Sequence, residues 1–194
     1  MEKQLMDSSY LSNPIIFLIE TISGLYIMTF MLRYLLSITQ ADFYNPVSQF
    51  LVKITNPLLI PMRRFIPSLG KIDTAAIAIM LTLQMLTLFV ITLLKGGYVS
   101  FWPVFVHSLA NLIELFLNIF LFSILIQVVI SWVNPGVNNP VTALLYGLTE
   151  PVMAPIRRII QPIGGMDLSP MAAIIGIYIL NMLLIPPIRH LAGI

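Results

Sequence analysis

The stretch TNPLLIPMRRFIP, Thr55 to Pro67, returns 94 residues later in altered form as TEPVMAPIRRIIQP, Thr149 to Pro162. An ungapped shift of 94 aligns Asn45–Asp73 with Asn139–Asp167, and 12 of the 29 positions are identical. Chance gives about two or three at ordinary residue frequencies. The identities include Asn45/Asn139, Pro46/Pro140, Thr55/Thr149, Pro57/Pro151, Pro61/Pro155, Arg63/Arg157, Arg64/Arg158, Gly70/Gly164 and Asp73/Asp167. The same shift pairs Glu20 with Glu114 and Lys95 with Arg189. The chain is therefore read as a duplication, with repeat 1 over residues 1–97 and repeat 2 over 98–194.

Around this phrase the chain is mostly apolar. Of its 194 residues, 58% are hydrophobic and 9% charged, against about 25% charged in an ordinary soluble domain. Too few polar side chains exist to coat a water-facing globule, which points to an integral membrane protein. The net charge of +2 gives no basic surface for nucleic acid. With no cysteine, disulfides, thiolate metal sites and a cysteine nucleophile are excluded. The polar, mixed-charge N-terminus lacks a basic n-region, so no cleavable signal peptide is expected.

A membrane-spanning helix needs about 20 mostly apolar residues. Four stretches qualify: Ile15–Ile38, Thr74–Leu94, about Leu109–Trp132 and Met171–Ile188. The register of Glu20 places the third span near Leu109 and leaves YVSFWPVF before it as an interfacial aromatic segment. The expected fold is an all-α membrane protein of four transmembrane helices. They form two parallel two-helix repeats, each with an interfacial amphipathic helix and a proline-kinked hairpin loop. Each unit crosses twice, so both copies share one orientation, and a pseudo-two-fold axis along the membrane normal is expected. Lys53, Arg63, Arg64, Lys71, Arg157 and Arg158 lie in the repeated loops, against Lys3, Lys95 and Arg189 on the opposite side. That bias predicts cytoplasmic loops and outside termini in a bacterial inner membrane.

Each loop opens with Asn-Pro, a good N-cap followed by proline at the first helical position. Val47, Phe50, Leu51 and Ile54, and Val141, Leu144, Leu145 and Leu148, then form an apolar stripe at helical spacing, expected to lie on the membrane. Thr55 and Thr149 are expected to cap a second short helix, with Pro57 and Pro151 in its first turn. Pro61 and Pro155 should kink it or keep it short, and Pro67 and Pro162 should end it. Gly70 and Gly164 permit the turn back, and Asp73, or Asp167 with Ser169 and Pro170, start the next span. The arginines suit headgroup contact and topology, pairing with Asp73 and Asp167, or contact with a partner protein's carboxylates. A phosphorylated ligand finds no glycine-rich cradle here.

Two copies of N-P-x(8)-T-x-P-x(3)-P-x-R-R, each closing in a G-x-x-D turn into a span, resemble the YggT family, also called YlmG. The second copy, TEPVMAPIRRIIQPIGGMDLSP, is close to that family's wording. The first departs at Asn56, where glutamate is usual, and lacks Ser-Pro after Asp73. The two-copy form resembles proteobacterial members. The resemblance implies a membrane protein without a known enzymatic reaction. It associates the chain with membrane organisation, osmotic tolerance and, in plastid relatives, b-type cytochrome maturation.

Within the spans, charged residues are functional candidates by default. Glu20 and Glu114 occupy matching depths and could share a proton or cation across the repeat axis, sit near the headgroups, or bond a neighbouring helix. Arg33 is expected to snorkel to the loop-side interface. Gln84, Asn118, Gln127 and Asn181 read as interhelical hydrogen-bond formers. The only histidines, His107 and His190, would permit bis-histidine haem ligation, but both lie outside the matched positions. No cofactor, metal site or catalytic arrangement is expected, so the chain is read as a non-enzyme. Two roles remain open. One is a scaffold or assembly factor whose hairpins bind lipid and a protein partner through Arg63, Arg64, Arg157 and Arg158. The other is a small channel or transport component built on Glu20 and Glu114. Partners expected are membrane lipids and a second protein or further copies of the chain.

Overall fold

A computed structural model describes residues 2–70, 72–134, 136–160 and 167–193, with side chains from Ser12 onward. Six helices form the described chain: α1 (Glu2–Ile38), α2 (Pro46–Phe65), α3 (Thr74–Leu94), α4 (Phe101–Val133), α5 (Pro140–Ile159) and α6 (Ser169–His190). Four are long and apolar enough to cross a membrane: Ser12–Ile38 within α1, then α3, α4 and α6. The repeat is thus span, hairpin helix, span, twice over.

The third span begins earlier than its register suggested. Helix α4 starts at Phe101 and absorbs the aromatic segment. Pro103 lies in its first turn, where the missing N–H removes no intrahelical bond. The Trp102 indole donates to Leu191 O at the end of α6 (2.9 Å), tying the two helices of repeat 2 at that end.

The hairpin helices also differ from expectation. Each is one continuous helix of 20 residues, with two prolines inside: Pro57 and Pro61 in α2, Pro151 and Pro155 in α5. The expected second helix does not exist as a separate element. Pro57 and Pro151 therefore occupy helix interiors rather than a first turn, and Pro61 and Pro155 do not end the helix. Asn45 and Asn139 cap the two helices as expected, accepting from Val47 N and Thr142 N (both 2.9 Å). Thr55 and Thr149 cap nothing. Both are fully buried in mid-helix and donate back to Leu51 O (2.6 Å) and Leu145 O (2.9 Å). A threonine in a helix interior takes this bond to the carbonyl four residues back. Two absent N–H groups in each helix are tolerated because α2 and α5 are held by packing on the spans rather than by their own hydrogen bonds alone. All four prolines are exposed, so their rings displace nothing in the core.

The face that α2 buries is Ser48, Leu51, Thr55 and Leu59, directed at α1 and α3. Phe50 of the expected membrane stripe is exposed, and so is Val141 in α5. The buried stripe is therefore rotated from the expected one and faces the helix bundle. Helix α2 ends at Phe65 because Ile66 precedes a proline and takes an extended conformation. Gly70 turns the chain with φ +62°. Asp73 then caps α3, accepting from Ala76 N (3.2 Å). Asp167 accepts from Ser169 N (2.9 Å) at the start of α6. Pro162 and Gly164 lie outside the described residues.

The core joins Phe30, Leu35, Leu59 and Met80 of repeat 1 to Leu117, Ile124, Leu148 and Met153 of repeat 2. Within each repeat the contacts match: α1 packs on α3 as α4 does on α6, and each hairpin helix packs on both of its spans. Both hairpins lie at one end, since α2 touches α5. Between repeats the pattern is one-sided. Helix α3 packs on α4 and α1 on α5, yet among the described residues neither α6 with α1 nor α4 with α2 makes contact. A two-fold axis requires both members of each pair, so the expected pseudo-two-fold relation does not hold.

Candidate functional site at the repeated hairpins

Five matched positions converge where each hairpin helix meets its spans. In repeat 1 they are Arg33, Thr55, Asn56, Arg63 and Asp73. In repeat 2 they are Gln127, Thr149, Glu150, Arg157 and Asp167.

Arg33 leaves α1 and enters α2 rather than running out along its own helix. Its guanidinium donates to Thr55 Oγ1 (2.5 Å), Asn56 Oδ1 (2.9 Å) and Val52 O (3.4 Å). The expectation of a snorkelling side chain is corrected here. Polar acceptors on the neighbouring helix, Thr55 among them buried, satisfy the charge, and a charge-assisted bond is roughly twice as strong as a neutral one. In repeat 2 the same depth carries Gln127, buried and 2.8 Å from Thr149 Oγ1. The threonine hydroxyl has one proton. It is shared between Gln127 Oε1 and Leu145 O (2.9 Å). In both repeats, then, the span is hydrogen-bonded to a buried threonine of the hairpin, as donor in repeat 1 and as acceptor in repeat 2.

The first arginine of each pair closes the hairpin onto the next span. Arg63 pairs with Asp73 (2.5 Å) and Arg157 with Asp167 (3.3 Å). Arg157 also pairs with Glu150 (2.9 Å), at the position where repeat 1 has Asn56. Hydrogen bonding from Ser169, and then Arg157, hold the Asp167 carboxyl below the ordinary carboxylate range. The second arginine of each pair behaves differently. Arg64 and Arg158 are exposed and have no hydrogen bond or ion pair with any described residue.

Two clefts open beside these clusters, each of about 330 Å³. In repeat 1, Arg33, Tyr34, Ser37, Ser48, Arg63 and Asp73 are among the lining residues. In repeat 2 the matched cleft is confined to the loop-side part, with Ser131, Asn134, Thr142 and Tyr146. Two arginines therefore face one cleft and none the other.

No hydrogen bond joins Glu20 to Glu114 among the described residues. Glu114 pairs with Arg189 (2.5 Å), which also donates to Asn111 (3.2 Å). Glu20 is exposed and has no ion pair among the described residues, although Lys95 matches Arg189 in the repeat. Phe17 stands where Asn111 does in repeat 2. His107 Nδ1 lies 2.9 Å from Pro103 O in its own helix, and His190 is at the exposed end of α6. Among the described residues no three histidine or carboxylate side chains converge on a metal position.

Gln127 bonds a neighbouring helix as expected, but its partner, and the bonds from Arg33 to α2, escaped the sequence reading. Their partners are 22 and 23 residues apart, so no periodicity marks them. One signal was available. Where position 33 changes from Arg to Gln at 127, position 56 changes from Asn to Glu at 150, a paired exchange that betrays one cluster.

Comparison with known proteins agrees with the duplication. The CCB3/YggT family model matches twice, over residues 12–94 and 106–188, again 94 residues apart. An uncharacterized protein of Vibrio alginolyticus is 43% identical over 174 residues, 89% of this chain and 94% of the relative. A Pseudomonas aeruginosa protein is 36% identical over 187 residues, 94% of each chain. The YggT protein of Escherichia coli K12 is 34% identical over 171 residues, 88% of each. No solved structure matches the chain. Two family matches that divide the chain at the period of its own repeat establish that it belongs to the CCB3/YggT family of membrane proteins.

Proposed function

We propose that this chain is a non-catalytic scaffold or assembly factor of a bacterial inner membrane, working through its two hairpins on the cytoplasmic side. One observation carries the reading. In both repeats the first arginine is latched by an aspartate while the second is left exposed and unpaired among the described residues. Arg63 and Arg157 then shape the hairpin, and Arg64 and Arg158 are its contacts for anionic headgroups or a partner's carboxylates. A guanidinium binds either group through paired donors. The alternative role in ion or osmolyte passage draws less support. Glu114 is engaged by Arg189, and both clefts lie at the hairpin end of the spans.

The test is native mass spectrometry of the full chain with phosphatidylglycerol or phosphatidylcholine. The wild type should retain phosphatidylglycerol selectively, and Arg64→Glu with Arg158→Glu should lower that retention severalfold. Equal retention by the double variant overturns the reading. The absence of native cysteine permits a second check of sidedness in intact cells. An impermeant thiol reagent should label Ser100→Cys and spare Ser68→Cys, whereas the reverse result puts the hairpins outside.

A further inference from the structure

The one-sided joint between the repeats has a surface consequence. Helix α1 packs on α3 as α4 packs on α6, so a large difference in burial between matched positions points to the other repeat. On α3, Leu81, Met85, Leu88 and Thr92 are partly covered; on α6 the matched Ile175, Ile179, Met182 and Pro186 are exposed. On α4, Ser108, Leu112, Leu115 and Ile119 are wholly or partly covered; on α1 the matched Pro14, Leu18, Thr21 and Leu25 are exposed. Leu112 is 7% exposed against 54% for Leu18, and Ile119 is 5% against 60% for Leu25. Each set has spacings of three and four, one helical face. The covered pair is the α3–α4 joint. The exposed pair is the same two surfaces, unjoined, at opposite ends of the molecule.

We infer that α6 of one copy packs on α1 of the next, as α3 packs on α4 within the chain, so the protein assembles head to tail. A heterologous contact of this kind leaves a free surface at each end, and repetition gives a ring or an open row. All copies share one orientation in the bilayer, so the operator is a rotation about the membrane normal, and a closed ring results when that rotation divides a full turn. Lipid tails are as apolar as these faces, so fit rather than hydrophobicity must drive the contact. The chain already demonstrates the fit between the matched faces. A second pair of surfaces agrees with it. Ala41 approaches Gly147 within the chain, and the α1 face of Met31 and Leu35 is buried. The matched Leu125 and Val129 of α4, and Phe50 of α2, are exposed and would meet between copies.

Matching the two stripes end for end, in antiparallel order, pairs Leu88 with Leu112 and Leu81 with Ile119. Between copies, Met182 then pairs with Leu18, and Ile175 with Leu25. The test is oxidative cross-linking of the full chain in membranes, using the double variants Leu18→Cys/Met182→Cys and Leu25→Cys/Ile175→Cys. The control is Met28→Cys/Leu183→Cys, at positions exposed in both repeats. Each stripe variant should give a ladder of dimers, trimers and larger species, with at least several-fold less product from the control. Chains carrying Leu18→Cys or Met182→Cys alone should cross-link only when co-expressed, and then only to dimers. Three results overturn the assembly: no intermolecular product from either stripe pair, equal product from the control, or dimers from Met182→Cys alone. A disulfide closing within one chain also overturns it, because it would place α6 against α1 of the same molecule.

Discussion

The two hairpin clusters are built on one plan with opposite charge. In repeat 1, Arg33 and Arg63 face a single carboxylate, Asp73. In repeat 2, Arg157 faces two, Glu150 and Asp167. Counting the five matched positions, two cations less one anion leaves +1 in the first; one cation less two anions leaves −1 in the second. The buried threonine and the Arg–Asp latch are common to both. What duplication kept is the mechanical part, a span bonded into the middle of its hairpin and a hairpin closed onto the next span. The charge around that part was free to diverge, giving one cleft faced by two arginines and one faced by none.

The largest test of this shared plan is Thr55→Val against Thr149→Val. Each removes a buried, hydrogen-bonded hydroxyl without changing volume much. Unfolding of the chain in mixed micelles should show losses of about 1–3 kcal/mol, the cost of an unsatisfied buried polar group. The loss should be greater for Thr55→Val, because its donor is charged. Negligible losses would mean the two threonines are only fillers, and equal losses that the charge on Arg33 adds nothing to its bond.

The latches should separate next. Asp73→Asn leaves Arg63 without a carboxylate, whereas Asp167→Asn leaves Arg157 with Glu150. Exposed pairs contribute about 0–1 kcal/mol, so the first variant belongs near the upper end and the second near zero. Limited proteolysis between residues 65 and 73 should rise for Asp73→Asn, and the second hairpin should stay intact in Asp167→Asn. A smaller effect is expected from rewriting one cluster in the other's residues. Arg33→Gln with Asn56→Glu supplies repeat 1 with the groups that already work in repeat 2, and should change stability by no more than about 0.5 kcal/mol. Arg33→Gln alone should cost more than the double variant.

Acid should have the smallest effect, and its sign is fixed. The Asp167 carboxyl is depressed in the fold below its unfolded value of about 3.9. Its contribution is therefore complete above about pH 4 and is lost as pH falls through the folded value. Its side chain is 41% exposed, so solvent screens the effect. Wild type should lose slightly more stability on acidification than Asp167→Asn, and curves that run parallel from pH 6 to pH 3 would remove the carboxylate from the account.

The spans, the Asn45 and Asn139 caps, the Gly70 turn and the Asp73 cap were legible because each is a local rule written in a few adjacent residues. The hairpin helix was misread as two pieces because proline rules describe an isolated helix. Burial of Leu51, Thr55 and Leu59 against α1 and α3 overrides them at Pro57 and Pro61, and burial of Leu144, Leu148 and Met153 does so at Pro151 and Pro155. Arg33 was misread because its acceptors lie on another element. The one-sided joint was beyond reach for a different reason. Identical spacing in two repeats shows that they are related, and no spacing shows by what rotation.

That joint also orders the protein's assembly in time. Only Lys95–Ser100 separate α3 from α4, so α4 enters the bilayer beside the face it must cover. So short a tether makes the contact effectively intramolecular, at a local concentration in the millimolar range. The bond from Asn45 Nδ2 to Pro140 O (2.7 Å) follows, joining hairpins 95 residues apart once the second has been synthesised. The matching faces on α1 and α6 have no tether. In the proposed assembly their meeting would depend on how densely the cell populates its membrane with finished chains, and expression level would set the balance between single molecules and the assembly.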